Sequence, residues 1–521
     1  MYLNKYVKTA SIVIFLLINL FLFAISFKHY LGNDLNFILL FIVCNFYIYY
    51  SFNRSNLFLD KTLSIFLWLG FFYKLCVILV FKTIIPEGAG AFNYDGNDYD
   101  KLLIFSYFGI SSFLVSSILI NSYFKTNNLK WEPVNSKLAL FYIKNRNIIY
   151  LSFLTLIIFV GFTNFFTGYY QKGLLPNFEI NFLLGNFIKW MLLFGLTSIS
   201  CLLIEYDLKI FKKISAVVLF LFFFELVVTN LSLLSRAMIF TGTAVLFSTY
   251  FNCSKNIDKK INNSLLLNFC ILFVIFSFLI FPINKIRQHL FVDAKYMIKE
   301  KAQSILLEGV KTDDLNKIVE NNISNEKKLK IISEKFEREA KKKQKLDFKE
   351  NFEKIIFVIK TRFVGLDGMA AVTSYPENNF NLLLNGLKEK FDSNKYGFYQ
   401  RTFVIPFEAA EYDITYNRSS ERHYGIIIPG ILSFLSYPGS LMFLIVSVII
   451  VHCFCSSIEI LSRKFTNNSV IFSSFIGYIL GYRLIHFGYL PKQSYLIISA
   501  ILLTIFSIYL VQLFVLKLRD D

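Results

Sequence analysis

Twelve long apolar stretches constrain what this chain can fold into more than any other feature of its sequence. Each holds roughly the 20 residues that an α-helix needs to cross the hydrocarbon core of a membrane. They lack the alternation of apolar and polar residues that transmembrane β-barrel strands show, so they predict helices. Their approximate limits are 11–27, 35–52, 62–82, 102–124, 148–165, 181–204, 214–231, 236–252, 264–283, 440–460, 469–487 and 494–516.

The composition also indicates a membrane protein. Of the 521 residues, 55% are hydrophobic and 18% are aromatic. A water-soluble domain cannot bury that much apolar surface, whereas lipid can act as its solvent. The first stretch lacks a small-residue cleavage site, so we expect a retained helix and not a signal peptide. We therefore predict an all-α, polytopic inner-membrane protein with about twelve transmembrane helices.

The basic residues predict the orientation of these helices. With a cytoplasmic N-terminus, the cytoplasmic tails and loops hold nineteen Lys and Arg residues, against five in the short loops on the other side. Lys and Arg concentrate in the cytoplasmic loops of membrane proteins. We therefore expect both termini in the cytoplasm of a bacterial cell. The chain then divides into nine helices at 1–284, a large periplasmic loop at 285–437, and three helices at 438–521.

The long loop combines two kinds of sequence. Charged residues with apolar residues at helical spacing predict amphipathic helices over 294–360. Near 424–438, glycines and prolines interrupt an apolar stretch that is too short to span a bilayer as one regular helix. We expect a re-entrant segment there, whose helix N-termini would offer N–H donors and partial positive charge beside the preceding cations.

Basic side chains gather on the predicted periplasmic side. Arginine has a planar fork that matches phosphate oxygens, so this pattern indicates a site for a diphosphate headgroup. For each residue the alternative is a side chain that extends to the lipid headgroups. The set comprises Arg236 between helices seven and eight, Arg287 after helix nine, Arg483 and His486 on the last turns of helix eleven, and Arg362, Arg401, Arg418, Arg422 and His423 in the loop.

Other ionisable residues have more ordinary interpretations. Lys74 and Glu225 lie inside apolar helices, where we expect a buried ion pair, with a proton relay as the alternative. Asp95, Asp98 and Asp100 form an acidic loop, with a loose cation site as the alternative. No Cys or His spacing is typical of a zinc site. We expect neither a metal nor another cofactor.

Four features together resemble a known family: the helix topology; "LSLLSRAMIF" at 231–240; "TRFVGLDG" and "RSSERHYGIIIPGIL" in the loop; and "LSYPGSLMFLI" before the next helix. The chain is similar to the Wzy-type polymerases, which join oligosaccharide repeat units on undecaprenyl diphosphate into O-antigen or capsule. The resemblance implies a GT-C-like fold and a glycosyltransferase that needs no nucleotide sugar and no metal. It also implies a chain-length regulator of the Wzz type as partner.

The resemblance implies a reaction in which an acceptor hydroxyl attacks the anomeric carbon and the lipid diphosphate leaves. His423 is the expected general base, with Glu408, Glu411 and Asp413 as alternatives. We expect cations to stabilise the leaving group. The expected catalytic residues are His423, Arg422, Arg418 and Arg236, and the expected substrate-binding residues are Arg287, Arg362, Arg401, Arg483, His486 and Tyr416.

Two alternative functions stay open at this point. An O-antigen ligase would share the fold, the donor and the cationic site, and would differ in its lipid A-core acceptor. A flippase for lipid-linked oligosaccharides also has about twelve helices, but it does not need a periplasmic loop of this length. A protein mannosyltransferase is disfavoured, because its catalytic acids usually lie in a large first outer loop, which here spans only about 28–34.

Overall fold

The computed structural model describes most of the apolar part of the chain. It covers residues 2–82, 85, 88–124, 133–171, 181–235, 238–253, 363–390, 397–407, 428–488 and 491–517, with scattered positions between 267 and 286. Within these ranges the secondary structure is helical, with no strand. The helices below belong to one unit, Met1–Ile283 together with Phe363–Asp521.

The described helices are joined by connections of very different length, and the longest runs from Cys253 to Leu366. In chain order they are α1 Tyr2–Phe27, α2 Asp34–Asn53, α3 Phe58–Val80, α4 Gly96–Tyr123, α5 Ser136–Thr167, α6 Leu183–Phe211, α7 Ala216–Leu233, α8 Met238–Cys253, α9 Leu366–Thr373, α10 Phe380–Lys388, α11 Ile431–Leu435, α12 Leu441–Phe465, α13 Val470–Ile485 and α14 Pro491–Lys517. π-Helical turns interrupt α3 at Trp68–Tyr73 and α6 at Met191–Gly195, and a further one spans Gln400–Val404.

Eight helices are long and apolar enough to cross a membrane: α2 to α7, α12, and α14 from Ser494 onward. Two shorter apolar helices, Val13–Phe27 and Val470–Ile485, coincide with two more predicted spans. The prediction of an all-α, multi-pass membrane protein is therefore confirmed for the described residues. The number of twelve spans, the orientation and the GT-C-like fold stay predictions. The predicted span at 264–283 is described only at scattered positions.

Polar residues set the starts of several helices. The side chains of Asn33, Asp95, Ser215 and Ser440 accept hydrogen bonds from backbone N–H groups in the first turns of α2, α4, α7 and α12. Such caps satisfy N–H donors that have no partner within the helix. The caps are the local reason why these apolar runs begin where they do.

Helix α13 lies at the centre of the bundle. It packs against α3, α6, α8 and α12, and every residue from Val470 to Gly481 is buried. Two glycines allow close approach: a Cβ atom at Gly481 would lie 2.9 Å from the Thr62 side chain, and one at Gly477 would lie 2.8 Å from the Leu59 nitrogen. Small residues allow membrane helices to pack closely in this way.

Helices α9 and α11 return to one end of this bundle, which we call the loop side. Leu432 of α11 packs directly on Gly109 of α4, where a Cβ atom would lie 2.7 Å from the leucine side chain. The Gly430 N–H donates to the Phe487 carbonyl just after α13, at 3.0 Å. The short helix α11 is buried throughout, so this described part of the broken apolar segment belongs to the core.

Candidate functional site

Three stretches that follow the long connection dock on the loop side. Pro429 packs against Gly368 at the start of α9, where a Cβ atom would lie 2.3 Å from the Pro429 carbonyl oxygen. The Tyr399 hydroxyl donates to the Gly88 carbonyl before α4, at 3.0 Å. These contacts, with the Gly430–Phe487 hydrogen bond, place the returning chain beside the ends of α3 and α13.

A buried ion pair fixes the first of these stretches. Lys74 of α3 contacts the carboxylate of Asp367 in α9 and donates to the Phe363 carbonyl at 3.0 Å. The Lys74 side chain is fully buried. The predicted pairing of Lys74 with Glu225 is therefore wrong, because Lys74 binds the returning chain instead. Glu225 accepts hydrogen bonds from Thr197 and Thr229.

Two cations, Lys189 and Arg483, lie near Tyr170 at the loop-side ends of α6 and α13. The Lys189 ammonium lies 4.7 Å from the centre of the Tyr170 ring, and the charge of Arg483 acts on both residues. Burial raises the pKa of Tyr170, and the positive charge of Arg483 opposes that rise. Within the described part of the chain, neither Lys189 nor Arg483 has an acidic partner. We call Lys189, Arg483 and Tyr170 the cationic cluster.

His486 belongs to an aromatic group next to this cluster. Its ring stacks on that of Tyr482, with centroids 4.1 Å apart, and Phe66 of α3 contacts both rings edge-on. The Nδ1 atom of His486 lies 2.9 Å from the Tyr482 carbonyl oxygen. Arg483 and His486 are thus three residues apart at the end of α13 and have different neighbours.

Arg401 lies in a different environment. One of its terminal nitrogens is 2.8 and 3.0 Å from the two carboxylate oxygens of Glu389, and 44% of its side chain is exposed. The remaining predicted site residues lie outside the described residues. They are His423, Arg422, Arg418, Arg236, Arg287, Arg362 and Tyr416.

The three aspartates of the predicted acidic loop lie at the start of α4, where they have a structural role. Asp95 caps α4, Asp98 accepts from the Asn93 N–H at 2.8 Å, and Asp100 accepts from Tyr30, Asn36 and the Asn33 N–H at 2.8–3.0 Å. These carboxylates are directed at hydrogen-bond donors of the chain. No cluster of three or more His, Cys, Asp or Glu residues able to hold a metal occurs in the described ranges.

Sequence reasoning missed a second polar group, on the opposite side of the bundle. His452 of α12 lies 2.9 Å from the Asp60 carboxylate through Nε2 and 2.9 Å from the Ser116 hydroxyl through Nδ1. Asp60 also accepts from Ser55 and Ser117, and all these side chains are buried. The signal was a histidine in the middle of an apolar helix and an aspartate in the first turn of another.

Comparisons with models of protein families, with curated proteins and with solved structures gave no match. The function must therefore be argued from the chemistry of the residues described above.

Proposed function

We propose that this protein is a glycosyltransferase that polymerises oligosaccharide repeat units carried on undecaprenyl diphosphate, at the periplasmic face of a bacterial inner membrane. The observation that supports this most is the cationic cluster. Two basic groups, Lys189 and Arg483, lie close enough to interact electrostatically at the membrane-domain end where the loop returns, and neither has an acidic partner among the described residues. Two neighbouring cations favour a ligand that carries two negative groups. A diphosphate headgroup supplies two negative phosphoryl groups on one molecule.

In the proposed reaction, the hydroxyl of one lipid-linked repeat unit attacks the anomeric carbon of another glycan. The bond from that carbon to the diphosphate oxygen breaks, and the diphosphate leaves with the bonding electrons. His423 takes the hydroxyl proton. Cations placed at the leaving group stabilise the charge that grows on it, each by about 10²–10³ in rate.

In this proposal, Arg483 and Lys189 bind the diphosphate at the loop-side ends of α13 and α6. The chain that carries Arg418, Arg422 and His423 leads directly into Gly430, which is bound to the end of the same helix. Arg236, Arg287, Arg362, Arg401, His486 and Tyr416 contribute to catalysis or sugar binding. A chain-length regulator of the Wzz type is the proposed partner.

A second candidate function has its own supporting observation. The Asp60–His452 pair is ionisable and buried between α3 and α12, and ionisable groups inside a membrane domain are costly and often carry protons. This favours proton-coupled transport, and hence a flippase for lipid-linked oligosaccharides. An O-antigen ligase would use the same cationic cluster with a different acceptor.

The test begins with a strain that lacks the gene. If the missing protein is a polymerase, the strain makes lipopolysaccharide with one repeat unit on the core. If it is a ligase or a flippase, the strain makes bare core. Arg483→Ala and Lys189→Ala should each reproduce the single-repeat pattern in complemented cells. Arg54→Ala is the matched control, because Arg54 is exposed at the other end of the bundle. Bare core in the deletion strain would contradict the proposal that the protein is a polymerase.

Purified protein gives the complementary measurement. Incubated with lipid-linked repeat units, it should form a ladder of longer glycans and release undecaprenyl diphosphate. Arg422→Lys should lose most of this activity, since lysine keeps the charge but lacks the planar fork. His423→Ala should bind the donor and turn over slowly. Near-normal ladders from both variants would remove residues 418–423 from the proposed mechanism.

A further inference from the structure

Glu225 differs from the other buried carboxylates of the membrane domain in the partners it has. In the described part of the chain, every other buried acid accepts from a basic side chain or a backbone N–H: Asp60 from His452, Asp98 from Asn93, Glu205 from Lys209, Asp207 from Arg146, Asp367 from Lys74, and Glu459 from Phe58 and Leu59. Glu225 is fully buried and has only hydroxyl partners.

Those two hydroxyls leave half of the carboxylate unpaired. Thr197 of α6 and Thr229 of α7 both lie 3.1 Å from Oε1, whereas Oε2 has no hydrogen-bond partner within the described residues. A bare anionic oxygen in an apolar interior costs several kcal/mol in free energy. An electropositive ligand on this group would remove that cost.

The two threonines have an unusual arrangement for this bundle. Thr62, Ser198 and Thr249 donate to the carbonyl four residues earlier in their own helices, which is the usual hydrogen bond of a membrane-helix hydroxyl. Thr197 and Thr229 instead direct their oxygens to Glu225. Since a hydroxyl can rotate its hydrogen away, each of these oxygens can also serve as a ligand for a cation.

Further polar atoms without partners occur on the same two helices. The Ser200 hydroxyl, one turn after Thr197, and the Asn230 carbonyl oxygen, next to Thr229, are buried and unpaired within the described ranges. The π-helical turn Met191–Gly195 ends just before Thr197. Such turns in α-helices frequently occur at functional sites.

Few charged or titratable groups surround Glu225. On α6, Cys201 is near enough for the two groups to interact electrostatically, and Glu205 lies one turn further. The charged residues of α5 lie in its first three turns, where Arg146 pairs with Asp207. The described side chains of α8, from Thr241 to Tyr250, include no charged residue. No protein cation described on these helices therefore neutralises Glu225.

We propose that Glu225, Thr197 and Thr229 form a binding site for one small monovalent cation, Na⁺ or a proton, midway along α7. Oxygen ligands from a carboxylate and hydroxyls suit hard cations. This site is distinct from the cationic cluster and does not depend on the proposed glycosyl transfer. An ion bound at this depth would link the packing of α6 and α7 to the ion concentration outside the protein.

The test uses the full-length protein in detergent. At pH 8, thermal unfolding is followed while NaCl replaces choline chloride at constant ionic strength, and binding of ²²Na⁺ is counted directly. If Na⁺ is the ligand, the wild-type Tm should rise by about 2–3 °C once Na⁺ exceeds Kd a hundredfold, and one ion should bind per chain. Glu225→Gln should abolish both effects.

Variants of the threonines keep the test informative if Glu225→Gln does not fold. Thr197→Val and Thr229→Val should each weaken Na⁺ binding at least tenfold, and Thr197→Ser should restore it. Thr249→Val is the matched control, because its hydroxyl binds its own helix, and it should keep the wild-type response.

A second series of thermal unfolding measurements, in sodium-free buffer from pH 6 to 9, distinguishes a bound proton from bound Na⁺. If the ligand is a proton, Na⁺ has no effect, and the wild-type Tm falls as the pH rises, because the folded state loses a bound proton. Glu225→Gln should show less of this fall. The proposal is overturned if wild type and Glu225→Gln respond identically to both Na⁺ and pH.

Discussion

Lys74 and Asp367 form a buried ion pair between residues that are 293 positions apart in the sequence. Lys74 lies just after the π-helical turn of α3, and Asp367 lies in the first turn of α9, beyond the long connection. The pair therefore attaches the returning chain to the membrane domain. Because both groups are buried, the loss of one partner has a large expected effect.

The first prediction concerns this pair. Asp367→Asn leaves the buried Lys74 ammonium without a counter-charge and should cost about 3–5 kcal/mol in free energy of unfolding. The double variant Lys74→Met with Asp367→Leu removes both charges and should recover most of that loss. Thermal unfolding of purified protein in detergent measures both. Equal destabilisation by the single and double changes would show that packing, and not charge, holds α9.

The second prediction concerns the Asp60–His452 pair. His452→Phe removes the imidazole that contacts one Asp60 oxygen, so the buried carboxylate loses its basic partner. The free energy of unfolding should fall by about 2–4 kcal/mol. Asp60→Asn should be milder, because its amide can still bond Ser55, Ser117 and His452. The Tm values test this, because we expect the highest Tm for the wild type, a lower one for Asp60→Asn and the lowest for His452→Phe. The reverse order would mean that Asp60 is not ionised.

The third prediction uses an unpaired hydroxyl. Tyr437 is completely buried, and its hydroxyl has no hydrogen-bond partner in the described part of the chain. Burial accordingly raises the pKa of this phenol well above its usual value. Tyr437→Phe removes an unsatisfied polar group and should keep or raise the Tm.

Tyr142→Phe is the matched control for that change. The Tyr142 hydroxyl donates to Asp207 at 2.8 Å and lies 3.0 Å from the Tyr150 hydroxyl. Removal of the Tyr142 hydroxyl should lower the free energy of unfolding by about 1–3 kcal/mol. A Tyr437→Phe protein that is folded and stable but inactive would instead assign the hydroxyl a part in the reaction.

The fourth prediction concerns orientation. A reporter fused near residue 340 should behave as periplasmic, and one near residue 258 as cytoplasmic, because basic residues favour cytoplasmic loops. Alkaline phosphatase and green fluorescent protein fusions give opposite signals in the two compartments. A cytoplasmic signal at residue 340 would place the cationic cluster on the wrong side of the membrane for the proposed reaction.

Much of the helix framework could be predicted from the sequence, because a bilayer imposes a minimum length on each apolar run. Asp95 shows how local chemistry adds to this: an acidic residue just before a helix is a capping signal that needs no tertiary information. The polar partners inside the bundle are different. Lys74 was expected to pair with Glu225 of another apolar helix, whereas the three-dimensional packing brings it to Asp367, beyond the long connection.

The candidate site was predictable only in part. Arg483 and His486 were identified because they interrupt an apolar helix. Lys189 was not, since one lysine near a helix start is typical of any membrane protein. Its significance comes from Tyr170 and Arg483, which lie on other segments of the chain. The Asp60–His452 pair was missed for the same reason, because its members come from α3 and α12.

The length of α13 has a consequence for how the proposed lipid-linked substrate would reach Arg483. Sixteen residues give a helix of about 24 Å, shorter than a hydrocarbon core of about 30 Å. The helix tolerates this mismatch because protein surrounds it, with Glu205 bound to its first N–H groups and Gly430 bound just beyond its end. A helix of this length that spans the bilayer would have at least one end below the membrane surface. In the proposed reaction, a lipid-linked diphosphate at Arg483 would leave bulk water while its hydrocarbon tail stays among the lipids, and the lower dielectric there would strengthen its attraction to the guanidinium.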